Sequence, residues 1–455
     1  MTTFALIPAL LQEATPATRL PLFSAVPFVL LLLAIAVLPL VAGHWWHANK
    51  NKAWIVALLS IPFAIWLYRT EGADSLHEFT HAATDYASFL TLLAALYVIS
   101  GGIYVRGSLA GTPLSNGTLL AIGAVLANVI GTTGASVVLV RPLLRANKKR
   151  QDKAHIFVFF IFIVSNCGGL LTPFADPPLF LGFLKGVPFV WTLRLWREWA
   201  VAVLLLLVVF FAVDSYVFDR EEKRRRGSQL EEVLAHEPIG LEGFHNVFFL
   251  LGVVAVILGH GTGFGWSDHH WPFGLQEGLM IGLTLLSWFT TKRAIHAKNE
   301  FDFGPIIEVA VLFAGIFVTM IAPLDILNAR GGELGLTQPW HYFWATGGLS
   351  GFLDNAPTYL TFAAVASGQA GISVEGPRYL GEYVANITGG RILEAISCGA
   401  VMMGAMTYIG NGPNFMVKAI AQQNGVKMPG FFGYMGWSMA VLIPCFILVT
   451  LLFFR

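Results

Sequence analysis

Thr172-Pro173-Phe174-Ala175-Asp176-Pro177-Pro178 and Thr407-Tyr408-Ile409-Gly410-Asn411-Gly412-Pro413 repeat one pattern of polar and helix-breaking residues, both deep in apolar sequence. Each follows a Gly-rich partner segment. In the first case it is Gly131-Thr132-Thr133-Gly134-Ala135-Ser136, and in the second Gly351-Phe352-Leu353-Asp354-Asn355-Ala356-Pro357-Thr358. An interrupted helix offers carbonyl oxygens at one half-helix end and N–H groups at the other. Carbonyls combined with carboxylates suit a hard cation such as sodium. Asp176 and Asp354 supply the carboxylates; Thr132, Thr133, Ser136, Ser165, Asn166, Thr172, Asn355, Thr358, Thr407, Asn411 and Asn414 add neutral oxygens. Holding a carboxylate inside a bilayer costs about 3 kcal/mol or more, so such a residue calls for a function. The same carboxylate can take a proton. One Asp that loads either Na+ or H+ is a complete antiport device, because the two loads compete for one site. Glu308, in Phe303-Gly304-Pro305-Ile306-Ile307-Glu308, is a candidate proton relay. The plain alternative is an interfacial ion pair or cap for Glu308, and a local helix cap for each Asp.

Two other chemistries compete. Helix N-termini with Ser, Thr and Asn clusters also bind carboxylates, so an organic-anion carrier, of citrate or a dicarboxylate, is the alternative to sodium/proton exchange. The motifs contain no Arg or Lys to offset a di- or trianion, the nearest being Arg141 and Lys185. An anion beside Asp176 and Asp354 would be repelled unless cations bound first, which favours cation exchange. His77-Glu78-Phe79-Thr80-His81 fits the zinc-protease pattern, with two His on one helical face and Glu as base. It lies in an acidic connection and has no evident third ligand. No resident metal or cofactor is therefore expected, only transported Na+ and H+. Asp268-His269-His270 beside Trp266 and Trp271 reads as an interfacial aromatic cluster.

The elements that position these residues follow from composition and charge. Of 455 residues, 56% are hydrophobic and 12% charged, and the mean hydropathy is +0.67. Soluble domains carry roughly a quarter charged residues, so this chain belongs in a lipid bilayer. The net charge of +1 gives no case for nucleic acid. Cys167, Cys398 and Cys445 all lie in apolar segments and are expected to be unpaired. Residues 1–20 lack the pattern of a cleavable signal, so the first apolar run is expected to be a span. Span-length apolar runs occur at 24–42, 53–69, 86–105, 155–190, 198–218, 246–260, 276–291, 304–323, 393–420 and 431–453. Two more, 116–144 and 340–368, are broken near their middles by the Gly-rich segments. Basic residues cluster at His47/Lys50/Lys52, at Arg145/Lys148/Lys149/Arg150/Lys153, at Arg220/Lys223/Arg224/Arg225/Arg226 and at Lys292/Arg293/Lys298. All four clusters face the cytoplasm only if 116–144 enters and returns as a hairpin. The same logic makes 340–368 a hairpin from the other side.

The expected fold is an all-α polytopic membrane protein, an inverted repeat of two five-span halves, each with a re-entrant helical hairpin and an interrupted transmembrane helix. After an N-terminal segment, 1–23, the first repeat covers 24–218: scaffold spans 24–105, hairpin 116–144 and interrupted span 155–190. A cytoplasmic linker, 219–245, leads to the second repeat, 246–455: scaffold spans 246–323, hairpin 340–368 and interrupted span 393–420.

Ser165-Asn166-Cys167-Gly168-Gly169, followed by Thr172 to Pro178, resembles the signature S-N-x-G-G-x-x-T-x-x-G-D-P-P of the ion transporter superfamily. So do Glu308 with Leu312-Phe313-Ala314-Gly315-Ile316-Phe317, and Phe352-Leu353-Asp354-Asn355-Ala356-Pro357. That superfamily includes NhaD-type sodium/proton antiporters, arsenite permeases, and citrate and dicarboxylate carriers. The resemblance runs from about residue 86 to the C-terminus. It implies a homodimer in a bacterial inner membrane. It further implies a scaffold of the leading spans, and a transport domain of hairpins and interrupted spans that moves as a unit. Asp176, Asn166 and Asp354-Asn355 match ion- and substrate-site positions of relatives. The chain departs from the pattern at Gly134-Ala135, where many sodium/proton relatives carry Asp-Asn, and at Leu179, where many carry Asn.

Overall fold

The structure, a computed structural model, describes residues 20–46, 48–106, 111–224, 240–262, 271–299, 301–374, 376 and 378–455. Residues 1–19, most of the linker and Asp268-His269-His270 lie outside the described residues. The chain is helical nearly throughout. Its first half comprises α1 (Val26–Val41), α2 (Gly43–Trp46), α3 (Asn49–Glu71), α4 (Ala73–Gly101), α5 (Pro113–Ala146), α6 (Ala154–Phe162), α7 (Pro177–Leu184) and α8 (Trp196–Arg224). The second comprises α9 (His245–Thr262), α10 (Leu275–Thr290), α11 (Arg293–Lys298), α12 (Gly304–Thr319), α13 (Ile321–Arg330), α14 (Pro339–Ser350), α15 (Asn355–Gln369), α16 (Tyr379–Ala385), α17 (Ile387–Met403), α18 (Gly412–Gln423) and α19 (Phe431–Val449). Two short strands, β1 (Tyr104–Arg106) and β2 (Gly240–Glu242), pair antiparallel with Tyr104 opposite Glu242, joining the two halves.

Six helices among the described residues are long and apolar enough to cross a membrane: Leu22–Pro39, Asn49–Glu71, Ala73–Gly101, Pro113–Ala146, Phe189–Lys223 and Phe431–Phe454. The chain is an all-α polytopic membrane protein. Pro113–Ala146 qualifies by length and composition, yet it does not run straight. At Gly131 the backbone takes φ 77 and ψ 156, outside the helical region and open chiefly to glycine. A straight helix of these 34 residues would be about 50 Å long. Instead Asn116 and Asn147, from its opposite ends, exchange side-chain hydrogen bonds of 3.0 and 2.7 Å. The segment therefore doubles back at Gly131. The α14–α15 pair does the same about Gly351–Asp354: Tyr342 near one end donates to Gln369 at the other, 2.6 Å away.

The acidic stretch expected to be a loop is helix. Only Gly72 separates α3 from α4, so Asp74, Glu78 and Asp85, with His77 and His81, all ride on α4. No Gly or Pro interrupts residues 73–100, so the helix continues through polar sequence beyond the apolar run that revealed it.

Burial separates two kinds of helix. Residues 156–164 of α6 and its π-helical extension are buried on every side, as is most of α17, so these helices lie inside the bundle. By contrast, Trp54, Leu58, Ile61 and Ile65 of α3 form an exposed stripe at helical spacing, as expected of a surface that faces lipid. α6 and α17, the helices that lead into the two breaks, thus sit where protein, not lipid, can satisfy the freed backbone groups. α14 packs along α17, α5 against the end of α6, α15 against α7, and α18 against α5. α3 packs on α12, and α4 on α9, α10 and α12.

Candidate functional site

The residue that precedes the second half-helix has the same backbone conformation at both breaks. Pro177-Pro178 and Gly412-Pro413 suit the first turn of a helix, and each preceding residue is an extended N-cap: Asp176 at φ −146, ψ 146, and Asn411 at φ −155, ψ 138. Neither side chain caps its own helix. Both turn inward and meet, Asn411 Nδ2 donating to Asp176 Oδ1 at 3.1 Å. Asp176, 1% exposed, is held from three directions. Thr132 from the first hairpin donates to Oδ1 at 2.8 Å, Asn411 from the second break also to Oδ1, and Asn355 from the second hairpin to Oδ2. Hydrogen bonds to a charged acceptor contribute about 1.5–3 kcal/mol each, and all these donors are neutral. The negative charge is therefore solvated but not cancelled.

The surrounding amides continue the network. Asn411 Nδ2 also reaches the Ser165 carbonyl (3.1 Å) and Asn166 Oδ1 (3.2 Å). Asn166 donates to Asn414 Oδ1 at 2.7 Å, and Asn414 donates to the carbonyls of Gly404 and Thr407. Ser136 and Ser165 hydroxyls lie 2.8 Å apart. The first hairpin's tip is stitched to the first break by Thr132 N–H to the Ala175 carbonyl, 2.8 Å. A Cβ at Gly169 would lie 2.3 Å from the Thr132 methyl, so this approach requires glycine. Asn355 Oδ1 is buried and accepts no hydrogen bond from the described residues, an orphaned oxygen beside the carboxylate.

Of the residues predicted from sequence, Thr132, Ser136, Ser165, Asn166, Asp176, Asn355, Asn411 and Asn414 come together. Asp354 caps α15 through Ala356 N–H (3.0 Å), the plain alternative foreseen for it, and is half-buried next to Asn355. Thr133 lies half-buried beside Thr132. Thr172 donates to the Asn128 carbonyl (2.7 Å), Thr358 to the Asp354 carbonyl (2.9 Å), and Thr407 accepts from Ile409 and Gly410 N–H groups; these shape the breaks and hairpin tips. Glu308 is placed elsewhere, paired with Lys52 of α3 at 2.8 Å. Lys185 pairs with Asp85. His77 and His81 stack on α4 with ring centroids 4.5 Å apart, and no group of three or more His, Cys, Asp or Glu that could hold a metal occurs among the described residues. All three cysteines are free and buried.

Asn128 was not foreseen. It accepts from Leu171 N–H at 2.8 Å, pinning the hairpin to the break; an Asn within an apolar run was the available signal. A buried cluster at the base of the first hairpin was also missed. Asp214 of α8 accepts from Arg150 (2.5 Å) and Asn116 (3.0 Å), and its Oδ1 lies 2.8 Å from His155 Nε2.

No curated protein matches the chain. Residues 17–454 match the family described as "Putative citrate transport". A family of transporters leaves no place for the zinc-protease alternative. With its motifs carried by paired helix breaks and its sequence matched almost from end to end, the chain belongs to this family, within the superfamily of ion transporters and citrate carriers, as a multi-pass secondary transporter.

Proposed function

We propose that the protein carries a citrate-class di- or tricarboxylate, coupled to sodium or protons that load at Asp176. The observation that carries this reading is the Asp176 carboxylate, fully enclosed and met by Thr132, Asn355 and Asn411, with the unpartnered Asn355 Oδ1 beside it. An uncancelled carboxylate next to a free amide oxygen suits a small hard cation or a proton. The cation in turn offsets the repulsion that an incoming polyanion would meet there. For that anion the second break offers what the first lacks. Pro177 and Pro178 remove two N–H donors from the start of α7, whereas Gly412 opens α18 exposed and without a side chain. The family's description supports the carboxylate reading, which reverses the order of the two expectations drawn from sequence.

The matching conformations of Asp176 and Asn411, and the two doubled-back segments, support the inverted repeat of 24–218 and 246–455, with both breaks meeting at the pseudo-symmetry centre. Sodium/proton antiport without an anion is the second reading, favoured by one observation: among the described residues, those that hydrogen-bond Asp176 are neutral donors. One paired assay separates the two. In proteoliposomes, citrate uptake driven by a sodium or proton gradient is the expected result. Dissipation of an imposed pH gradient by sodium, with no carboxylate uptake, would instead establish antiport.

A further inference from the structure

Helix α7 has Asp176 at its N-terminal end and Lys185 at its C-terminal end, so the ion site and the surface-directed lysine are two ends of one short rigid element. Its far end is built into a tight unit. Lys185 N–H closes the last turn on Leu181, its carbonyl accepts from Leu380 N–H at 3.1 Å, and Gly186 packs directly on the Arg378 backbone. One turn earlier, Gly182 lies against the Tyr359 ring of α15. The α7 end, α15 and the start of α16 therefore pack as one body.

Lys185 Nζ then leaves this body and ion-pairs with Asp85 of α4. Helix α4 also reaches helices that α7 does not pack on. It packs on α9, α10 and α12 as well as on α5 and α7, and three residues beyond Asp85 the Ser88 hydroxyl donates to Glu277 of α10 at 2.5 Å. The pair thus ties the C-terminal end of α7 to a helix that is itself anchored to α10 on another side. Its side chains are 17% and 21% exposed, so the charges are partly shielded yet within reach of water. Such a contact differs from packed hydrocarbon: on separation both charges can be hydrated, so it breaks without exposing apolar surface. A cation at the C-terminus of α7 also suits the helix dipole, and Asp85 holds it there.

Asp176 at 1% exposure is closed off, and no solute reaches it unless helices move. We propose that Asp85 and Lys185 form a latch between α4 and α7 that positions Asp176 in this closed arrangement and opens once in every transport cycle. They are positioning residues, acting on the site through α7. The inference rests on the transport reading above.

The test uses the full-length protein in proteoliposomes, with Asp85→Cys and Lys185→Cys combined and the three buried native cysteines left in place. A short, reducible bis-thiosulfonate bridges the two positions, since a lysine's reach exceeds a direct disulfide. The expected result is a loss of uptake of at least tenfold on bridging, restored by dithiothreitol, with neither single-cysteine variant responding to the reagent. As a second arm, the exchange Asp85→Lys with Lys185→Asp recovers at least half of the uptake lost in either single replacement. Bridged protein that transports at its reduced rate, a bridge that does not form in membranes, or no recovery in the exchanged pair overturns the latch alone. Wild-type protein that moves neither citrate nor sodium overturns the transport reading, and the latch with it.

Discussion

At Asp176 a single charge is surrounded by amides and hydroxyls that orient toward it without neutralising it. Two replacements separate a ligand from a cap. Asp176→Asn keeps the volume but removes the charge and places an NH2 group where Asn355 and Asn411 already donate. Its expected effect is a loss of uptake of at least about tenfold, equivalent to 1.4 kcal/mol, with insertion and yield unchanged. Asp354→Asn has a different logic. Asn is as good an N-cap as Asp, so the Ala356 contact survives the change. If Asp354 only caps α15, initial-rate uptake stays near wild type; if its charge contributes to ion loading, the same assay falls as it does for Asp176→Asn. The latter is the expected outcome, because Asp354 adjoins Asn355, which donates to Asp176.

At the scale of elements, the site depends on two hairpins reversing where they do. Gly131 makes the first reversal with a positive φ, and a Cβ there would lie 3.2 Å from the Phe174 carbonyl and 3.3 Å from Leu96. Gly131→Ala therefore adds both strain and crowding, of the order of 1–3 kcal/mol. Thermal unfolding of the purified protein is expected to shift downward, and uptake to slow, because Thr132 follows directly and bonds Asp176. An unchanged unfolding temperature would show that the tip relaxes freely. The hairpin's other end is fixed independently by Asn116, Asn147, Arg150 and Asp214, so the strain is confined to the tip.

For the whole molecule, the central question is which surface admits the substrate. Gly412, exposed at the start of α18, is the accessible residue nearest the second break. Gly412→Cys is expected to react with a membrane-impermeant maleimide from one face of the bilayer. Citrate together with sodium is expected to slow that reaction, and potassium in place of sodium to leave it unprotected. Equal labelling with and without both solutes counts against placing the anion at α18.

Composition and charge placement alone determined the membrane class and the two breaks, because apolar run lengths, Pro-Pro and Gly-Pro dipeptides act locally and lipid tolerates no unsatisfied backbone. The doubling back of 116–144 was readable from the basic residues beyond it, since charge asymmetry reports which side a segment ends on. Only the tertiary structure decided which polar residues converge. Asn355 and Asn411 reach Asp176 across 179 and 235 residues of sequence, whereas Glu308, equally polar and also in apolar surroundings, pairs with Lys52. Helix propensity carried α4 through a polar stretch that hydropathy marked as a loop. Side-chain meetings of this kind depend on how helices pack, and no period in the sequence encodes them.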